Sequence, residues 1–444
     1  MRIFAPRFVV LMAAAAAALA SAVHPAAQSG VARPASEVTV IRAARLIDGK
    51  ADRPITDAAI LVRGELIEAV GSRASIQVPA GAQVVDLGDQ TLMPGLIDGH
   101  THIAGRSDST RREGQRILWT QDNGIQMTRA VRHARLNLLS GVTTSRVAGD
   151  PARTDFFLRD AVRDGRVPGP RIFPSGQWVS TTTGGTIRER RVNGPWEIIA
   201  LIRNNIEDGA EQIKLIIYNK TPTSTNFTWE ELKVAVDEVH RHGKLVVAHA
   251  SGMPSIKQAI DAGVDTLEHG VGLTDEVIKE LAAKQISIDV TTMAGYQGWF
   301  DEGWLYQDQQ SKSVADWTDW MRALIKKVDQ QPERQASIKR RQAELLKAHK
   351  AGVPIHVGLD NFHGLLSLEI EFLRDAGFTP MEALKAATSV PARVMRLGDK
   401  TGALEAGKWA DIISVRGDPL QDLGRLSHVD FIMVGGRRYE LSYR

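Results

Sequence analysis

The sequence contains no cysteine among its 444 residues. This absence excludes disulfide bonds, thiolate metal ligands and attachment of a lipid to a processed cysteine. A metal site in this chain must therefore use histidine, carboxylates or a modified side chain. An excess of charge of one sign is also lacking, since the formal net charge is only +3. We therefore expect neither nucleic acid nor an anionic membrane as a partner.

Long hydrophobic runs are lacking except near the N-terminus. Arg2 and Arg7 precede an apolar, alanine-rich run over residues 8–20, and Ala20-Ser21-Ala22 has the small-x-small pattern of a cleavage site. This arrangement predicts a signal peptide over 1–22, a loose leader over 23–36, and a secreted or periplasmic mature protein. The alternative is an uncleaved anchor, for which the apolar run is short.

Both ends of the remaining chain show short alternating strands. Residues 37–92 contain apolar stretches separated by turns with Gly and Asp, and the same pattern returns over 396–444. Gly435-Gly436 in the second region is a hairpin signal. These patterns predict a small β-sandwich built from both termini.

The middle of the chain, residues 93–395, repeats a different unit. Helix-like stretches end in Gly and an apolar strand follows at once, as in Ala262-Gly263-Val264. Strands that alternate with helices indicate parallel pairing, and eight such units predict an α/β fold, the (β/α)8 TIM barrel. The eight predicted strands begin near Leu96, Val142, Arg171, Ile213, Leu245, Val264, Ile286 and Pro354.

Polar side chains stand where several of these strands end. His100 and His102 are two residues apart after an apolar strand, so they point to the same face. His249, His269 and Asp360 end the fifth, sixth and eighth strands. Because the carboxyl ends of the strands meet at one face of such a barrel, these side chains predict a site suited to zinc or a similar ion.

A lysine lies inside an apolar strand, where burial of an unpaired ammonium is costly. Lys214 is flanked by Ile213 and Leu215 in the fourth predicted strand. One hypothesis is an ion pair between Lys214 and a nearby carboxylate. The other is that CO2 caps the amine and gives a carbamate whose two oxygens bridge two metal ions.

Taken in order, the histidine pair, the lysine, the two further histidines and the aspartate resemble the two-metal, carboxylated-lysine branch of the amidohydrolase superfamily. Residues 141–144, 169–171 and 402–411 add to this resemblance, which covers nearly all of the chain after the leader. The chain is most similar to the imidazolonepropionase-related group, which includes Xaa-Pro dipeptidases, related carboxypeptidases and ochratoxin-type amidases.

The resemblance implies two divalent metal ions, with Zn2+ as the expected metal, and a CO2-derived carbamate. It places His100, His102 and Asp360 on one ion, His249 and His269 on the other, and carboxylated Lys214 between them.

It further implies hydrolysis of a C–N amide bond by a hydroxide that bridges the two ions. Asp360 would take the hydroxide proton and deliver it to the leaving nitrogen, and Tyr218 would polarise the carbonyl. The expected substrate is a small molecule or dipeptide-like compound, such as a dipeptide or an N-acyl amino acid. Two alternatives remain: hydrolysis of a lactone, ester or phosphotriester at the same site, or an inactive secreted binding protein of the same fold.

Other residues are candidates for substrate contacts. Arg146 ends the second predicted strand, and His363 follows the eighth. Thr186 stands in Gly184-Gly185-Thr186, where peptidase-like relatives usually carry Gly-Gly-His, which puts the dipeptidase assignment in doubt. By contrast, His133 is expected to be an ordinary helix residue and His356 an ordinary core residue.

Four of the nine tryptophans fall within residues 296–320, between the seventh and eighth predicted strands. Long loops on this face often act as lids. We expect Trp299 and Trp304 to line the pocket and to favour a bulky apolar group on the substrate. The alternative is that this segment is scaffold or contacts another subunit of a homo-oligomer.

Overall fold

The computed structural model describes residues 37–105, 122–150, 153–184, 191–218, 224–296 and 311–440. The predicted signal peptide and leader lie outside these ranges, as do Thr186, Trp299 and Trp304. In the described part of the chain, no helix is both long enough and apolar enough to cross a membrane.

The first described segment forms strands that pair mainly with one another. Its first strand pairs antiparallel with the second and parallel with the fourth and fifth, and Ile41 and Ile60 face each other as fully buried partners. The strands are β1 (Val38–Leu46), β2 (Ile55–Arg63), β3 (Leu66–Ser72), β4 (Gln83–Asp86) and β5 (Gln90–Pro94).

Parallel strands follow at the predicted places, each starting within two residues of the expected position. Their side chains are almost entirely buried, as expected for parallel strands covered on both faces. They are β6 (Leu96–Thr101), β7 (Val142–Val147), β8 (Arg171–Phe173), β9 (Gln212–Ile217), β10 (Leu245–Ala250), β11 (Thr266–Glu268), β12 (Ser287–Val290) and β13 (Ile355–Val357).

These strands form two parallel sheets, β6-β7-β8 and β9-β10-β11-β12-β13, in which neighbours in sequence are neighbours in space. Backbone contacts join the sheets at both edges. Val179, shortly after β8, forms a parallel bridge with Leu215 of β9. Thr101 of β6 forms another with Asp360, shortly after β13. The chain just beyond β8 therefore contacts β9, and the chain just beyond β13 contacts β6.

Helices separate the parallel strands, and glycine follows the ends of several of them, as the sequence predicts. Gly263 ends its helix with φ of 89°, and a capping box of Thr228 and Glu231 begins another helix. The α-helices of the described residues are α1 (Asn123–Leu139), α2 (Thr154–Arg163), α3 (Gly194–Glu207), α4 (Trp229–Arg241), α5 (Met253–Ala262), α6 (Asp275–Lys284), α7 (Val314–Asp329), α8 (Pro332–Lys350), α9 (Leu366–Asp375), α10 (Pro380–Lys385) and α11 (Ser389–Val394).

The last strands return to the sheet formed by the first ones. β14 (Ile412–Arg416) pairs antiparallel with β5, and β15 (Val429–Val434) and β16 (Arg437–Tyr439) continue the sheet. The result is one eight-stranded mixed sheet assembled from both ends of the chain, with its own apolar cluster. This shared sheet is the visible part of the predicted sandwich.

Candidate metal centre and active site

The six predicted metal ligands lie at or just beyond the carboxyl ends of parallel strands, with one exception. Lys214 lies in the middle of β9, two residues after the strand begins. His100 lies within β6 and His249 within β10, whereas His102, His269 and Asp360 follow strands β6, β11 and β13.

His100, His102 and Asp360 form one compact donor group. The Nε2 atoms of the two histidines are 3.3 Å apart, and His102 Nε2 is 3.7 Å from Asp360 Oδ1. One donor atom from each of the three residues lies within 4.8 Å of the others. Two imidazoles and a carboxylate at this spacing are a suitable ligand set for a divalent ion such as zinc.

His249 and His269 form a second pair beside the first group. His249 Nδ1 is 2.8 Å from His269 Nε2, and the two ring centroids are 4.6 Å apart. The ring of His269 also lies 5.1 Å from that of His100. The structure therefore brings all four predicted histidine ligands into one continuous cluster of imidazoles.

Lys214 lies beside this cluster and is almost completely buried. Its Nζ is 3.5 Å from His100 Nε2 and 3.8 Å from Glu268 Oε2. Burial lowers the pKa of Lys214 below its ordinary value, while Glu268 and Asp360 oppose that shift. Both hypotheses for Lys214 are therefore compatible with its surroundings. An ammonium would have the carboxylate of Glu268 as its partner, whereas a carbamate would have imidazoles nearby to complete the coordination of its metal ions.

The opposite nitrogens of three histidines are held by protein groups. His102 Nδ1 lies 2.7 Å from the carbonyl oxygen of Gly149, and His269 Nδ1 lies 2.7 Å from Thr291 Oγ1. His100 Nδ1 contacts the carboxylate of Glu268. Partners of this kind fix ring orientation and tautomer, leaving the other nitrogen to bind an ion.

Two of the predicted ligands have a positive φ, a backbone conformation that residues other than glycine rarely adopt. His269 has φ of 72° and Asp360 has φ of 53°. Arg341 of α8 donates a hydrogen bond to the carbonyl oxygen of His269 at 2.5 Å, and His102 donates its amide to the carbonyl of Asp360 at 2.9 Å. Strained backbone held in this way is a feature of functional sites.

Burial favours the neutral form of His100, His102 and His269. It lowers the pKa of His102 to about 4 and the pKa values of His100 and His269 well below the ordinary value, with Lys214 adding to the shift at His100 and His102. Neutral imidazoles are the form that binds metal ions. The electrostatic environment and the donor set are therefore consistent with each other.

Beneath the histidines lies a buried charged layer whose two carboxylates, Glu268 and Asp289, were not predicted from the sequence. Glu268 ends β11 and Asp289 lies in β12, and Arg146 Nη2 lies 3.1 Å from the first carboxylate and 3.5 Å from the second. Burial alone would raise the pKa of Glu268, but Lys214 and Arg146 lower it below the ordinary value. Asp289 is flanked by apolar neighbours in its strand, as Lys214 is, and this shared pattern was the available signal.

His100, Glu268 and Asp289 also bring donor atoms within metal-binding distance of one another. This deeper group is a poorer site for a cation than the group with His102 and Asp360. Arg146 already places a positive guanidinium against both carboxylates, and His356 Nδ1 lies 2.8 Å from Asp289 Oδ2. An additional cation would be repelled by the guanidinium.

Two of the candidate substrate-binding residues, Arg146 and His363, are buried and already contact other protein groups. Arg146 is fully buried and contacts the Gly99 carbonyl as well as its two carboxylates, so a substrate carboxylate would have to displace one of them. His363 is buried and stacks on His133, with ring centroids 3.8 Å apart. Through this stacking, His133 belongs to the surroundings of the site, whereas the sequence predicted only an ordinary helix residue at this position.

Tyr218, the predicted carbonyl-polarising residue, lies just past β9 and next to the second histidine pair. Its ring centroid is 5.9 Å from that of His249 in an edge-to-face arrangement. It is partly buried and packs against Trp178 and Ile216. Tyr218 therefore adjoins the site on the side of His249.

Comparison with known proteins gives the class to which this fold and donor set belong. The model of the amidohydrolase family matches residues 91–439. The chain therefore belongs to the amidohydrolase family and is a hydrolase that acts on amide bonds.

Similar individual proteins cover most of the chain. Ochratoxinase of Aspergillus niger is 28% identical over 433 residues, covering 87% of this chain and 83% of the relative. Its crystal structure aligns with a TM-score of 0.73 and 27% identity over 91% of this chain and 96% of that one. The structure of an Xaa-Pro dipeptidase with bound methionine aligns with a TM-score of 0.74 and 29% identity, over 91% and 100% of the two chains.

Proposed function

We propose that this protein is a metal-dependent (β/α)8-barrel hydrolase that cleaves a C–N amide bond in a small-molecule or dipeptide-like substrate. The observation that carries the proposal is the convergence of four imidazoles, one carboxylate and a buried lysine into one cluster. The backbone bridges at both edges of the two parallel sheets support closure into a barrel.

The donor geometry supports a site for two divalent ions, with zinc as the expected metal. His100, His102 and Asp360 would hold one ion, and His249 and His269 would hold the other. A carbamate on Lys214 would supply an oxygen to each. Bound ions of this kind lower the pKa of a water molecule and polarise a carbonyl oxygen.

The residues of this chain would manage the proton during hydrolysis. Asp360 would accept the proton of the attacking water and deliver it to the leaving nitrogen, so that an acid and an amine are released. Its Oδ1 accepts a hydrogen bond from Asn361 Nδ2 at 2.7 Å, which restrains the carboxylate. Tyr218, beside His249, would donate a hydrogen bond to the carbonyl oxygen of the substrate.

The proposal extends to the segments outside the described residues. We infer that residues 1–22 are removed and that the mature protein is secreted or periplasmic, because the charged start, apolar run and small residues fit a signal peptide. N-terminal sequencing of protein recovered from the producing cells tests this. An intact Met1 on exported protein would contradict cleavage.

A hydrolysis panel on zinc-loaded protein tests the proposed reaction. It should contain dipeptides, N-acyl amino acids, aryl amides, lactones and phosphotriesters. We expect turnover of at least one amide and its loss in Asp360→Ala. Turnover confined to lactones or phosphotriesters would reassign the reaction while leaving the metal site intact, and no turnover by zinc-loaded protein would favour a binding protein.

A further inference from the structure

A small, largely buried apolar cluster lies beside the histidine cluster and is separate from the main core. It consists of Trp178, Ile216 and the partly buried Tyr218, which pack together as a separate cluster. Val179, next to Trp178 in the sequence, and Leu215, next to Ile216, belong instead to the main core. Because side chains two residues apart on a strand point to the same face, Ile216 lies on the face of β9 that carries Lys214, and Trp178 packs against Ile216.

This apolar cluster contacts both histidine groups. The indole of Trp178 meets His102 edge-to-face with 5.2 Å between ring centroids, and Tyr218 meets His249 at 5.9 Å. Both rings therefore lie within one side-chain layer of the residues proposed to surround the scissile bond. A substrate group that touches them must be attached within a few bonds of that amide.

The position of the indole is fixed by the same backbone that fixes a metal-binding histidine. Trp178 Nε1 donates a hydrogen bond to the carbonyl of Ala148 at 2.7 Å, and the next carbonyl, that of Gly149, lies 2.7 Å from His102 Nδ1. A Cβ on Gly149 would come within 2.6 Å of the indole, so this position leaves no room for a side chain. The ring is consequently preorganised relative to His102.

We propose that Trp178, Ile216 and Tyr218 form the specificity wall of the active site and receive a flat aromatic group attached close to the scissile amide. This inference rests on the proposed amide hydrolysis. Indole and phenol rings favour a flat partner through edge-to-face or offset contacts and through the apolar area that such contacts bury. Of the three wall residues, the sequence pattern singled out only Tyr218, and for a different role.

Two substrate pairs measure the effect of the wall on each side of the amide. N-benzoylglycine with N-acetylglycine varies the acyl side, and N-acetylphenylalanine with N-acetylalanine varies the amine side. The quantity compared is the ratio of kcat/KM for the aromatic member to that for the small member. We expect the wild-type ratio to exceed one in at least one pair and to fall about tenfold in Trp178→Ala.

Three variants separate the wall from other effects of the substitution. Trp178→Phe loses the hydrogen bond to Ala148 but keeps an aromatic ring. Because the ring makes the proposed contact, most of the selectivity ratio should be retained. Ile216→Phe enlarges a wall side chain at the expense of the position proposed for the substrate ring, so it should lower the ratio, as Trp178→Ala does. Trp196→Ala removes an indole whose residue is 82% exposed on α3 and should leave the ratio as in the wild type.

Binding of matched inhibitors distinguishes failure of this inference from failure of the proposed reaction. A prolidase 25% identical to this chain has been crystallised with N-methylphosphonate-L-proline. The N-methylphosphonate derivatives of phenylalanine and alanine can therefore serve as probes whose dissociation constants require no turnover. The wall would be supported, even if no amide were cleaved, if the wild type bound the phenylalanine derivative more tightly than the alanine derivative and Trp178→Ala removed this difference. Ratios unchanged by Trp178→Ala in both substrate pairs and in the inhibitor pair would overturn it, as would a loss in Trp178→Phe equal to that in Trp178→Ala.

Discussion

Replacing Glu268 tests whether the buried charged layer sets metal affinity. Glu268 contacts His100 at Nδ1, while His100 Nε2 faces His102 at 3.3 Å. A carboxylate that accepts a hydrogen bond from Nδ1–H favours the tautomer in which Nε2 carries no proton and can bind an ion. Glu268→Gln keeps an acceptor oxygen but removes the negative charge, whereas Glu268→Leu removes both.

The size of the expected effect follows from these contacts. Loss of a partner that orients a metal-binding histidine lowers metal affinity by about 10- to 100-fold. That range corresponds to roughly 1.4–2.7 kcal/mol. We expect the loss of metal affinity to lie at the upper end of this range for Glu268→Leu and near the lower end for Glu268→Gln. Glu268→Leu should also destabilise the metal-free protein by about 3–5 kcal/mol, because Arg146 would keep only the weaker contact with Asp289, at 3.5 Å.

Zinc affinity is measured by competition with a chelator, and stability by urea denaturation of metal-free protein. Glu238→Gln is a matched control, because Glu238 is also buried and pairs with Arg203 and Arg241 at 2.6 Å, but it lies on α4. The control should lose stability without losing zinc affinity. A folded Glu268→Leu variant with wild-type zinc affinity would refute the role of Glu268 in orienting His100.

Three further predictions concern other parts of the molecule. His100→Ala should lose most activity and bound zinc, whereas elemental analysis of wild type expressed with ample zinc should find two ions per chain; a wild-type ratio near zero would contradict the metal site. Burial raises the pKa of Glu369 from 4.5 to about 7, so the unfolded chain releases this proton first and the free energy of unfolding should fall as pH rises between these values, by at most about 3 kcal/mol. Glu369→Gln should flatten that slope in urea titrations of metal-free protein, and an unchanged slope would count against it. Replacing Trp299 and Trp304 with Ala should raise KM for aromatic substrates far more than for small ones, and equal effects on both would assign the segment to scaffold or subunit contact.

The sequence predicted the parallel strands because burial on both faces leaves a strong local pattern. Short apolar runs that follow helix-ending glycines mark the strands, and Gly141 and Gly263 both adopt the expected positive φ. The donor cluster was predictable for a related reason. His102 and Asp360 stand where apolar runs stop, and parallel strands bring such ends to one face.

Contacts between distant strands were not predictable in the same way. Arg146 lies in β7, whereas Glu268 and Asp289 lie in β11 and β12, so their pairing depends on how the interior side chains fit together across the strands. A single sequence shows that each residue is polar within an apolar strand but not which partner it meets. The stacking of His133 on His363 likewise depends on where α1 packs, and helical periodicity does not fix that position.

Lys214 and Glu268 together predict that carboxylation and metal binding are coupled. With Nζ 3.8 Å from Glu268 Oε2, a bare ammonium already has a buried carboxylate as its partner. A carbamate would instead place a second negative charge beside Glu268, which is unfavourable at low dielectric unless cations accompany it. We therefore expect metal-free protein to keep an unmodified amine, and zinc uptake at a fixed zinc concentration to be greater in bicarbonate-supplemented buffer than in CO2-free buffer.

The decisive comparison is between the wild type and Lys214→Ala. The variant has no amine to carboxylate, so its remaining zinc uptake should not respond to bicarbonate, whereas uptake by the wild type should. Electron density at Nζ in crystals grown with and without zinc gives an independent measurement. Equal zinc uptake by the wild type in both buffers, together with a bare ammonium facing Glu268 in a zinc-loaded crystal, would show that Lys214 is the ion-pair partner of that carboxylate and not a metal-bridging residue.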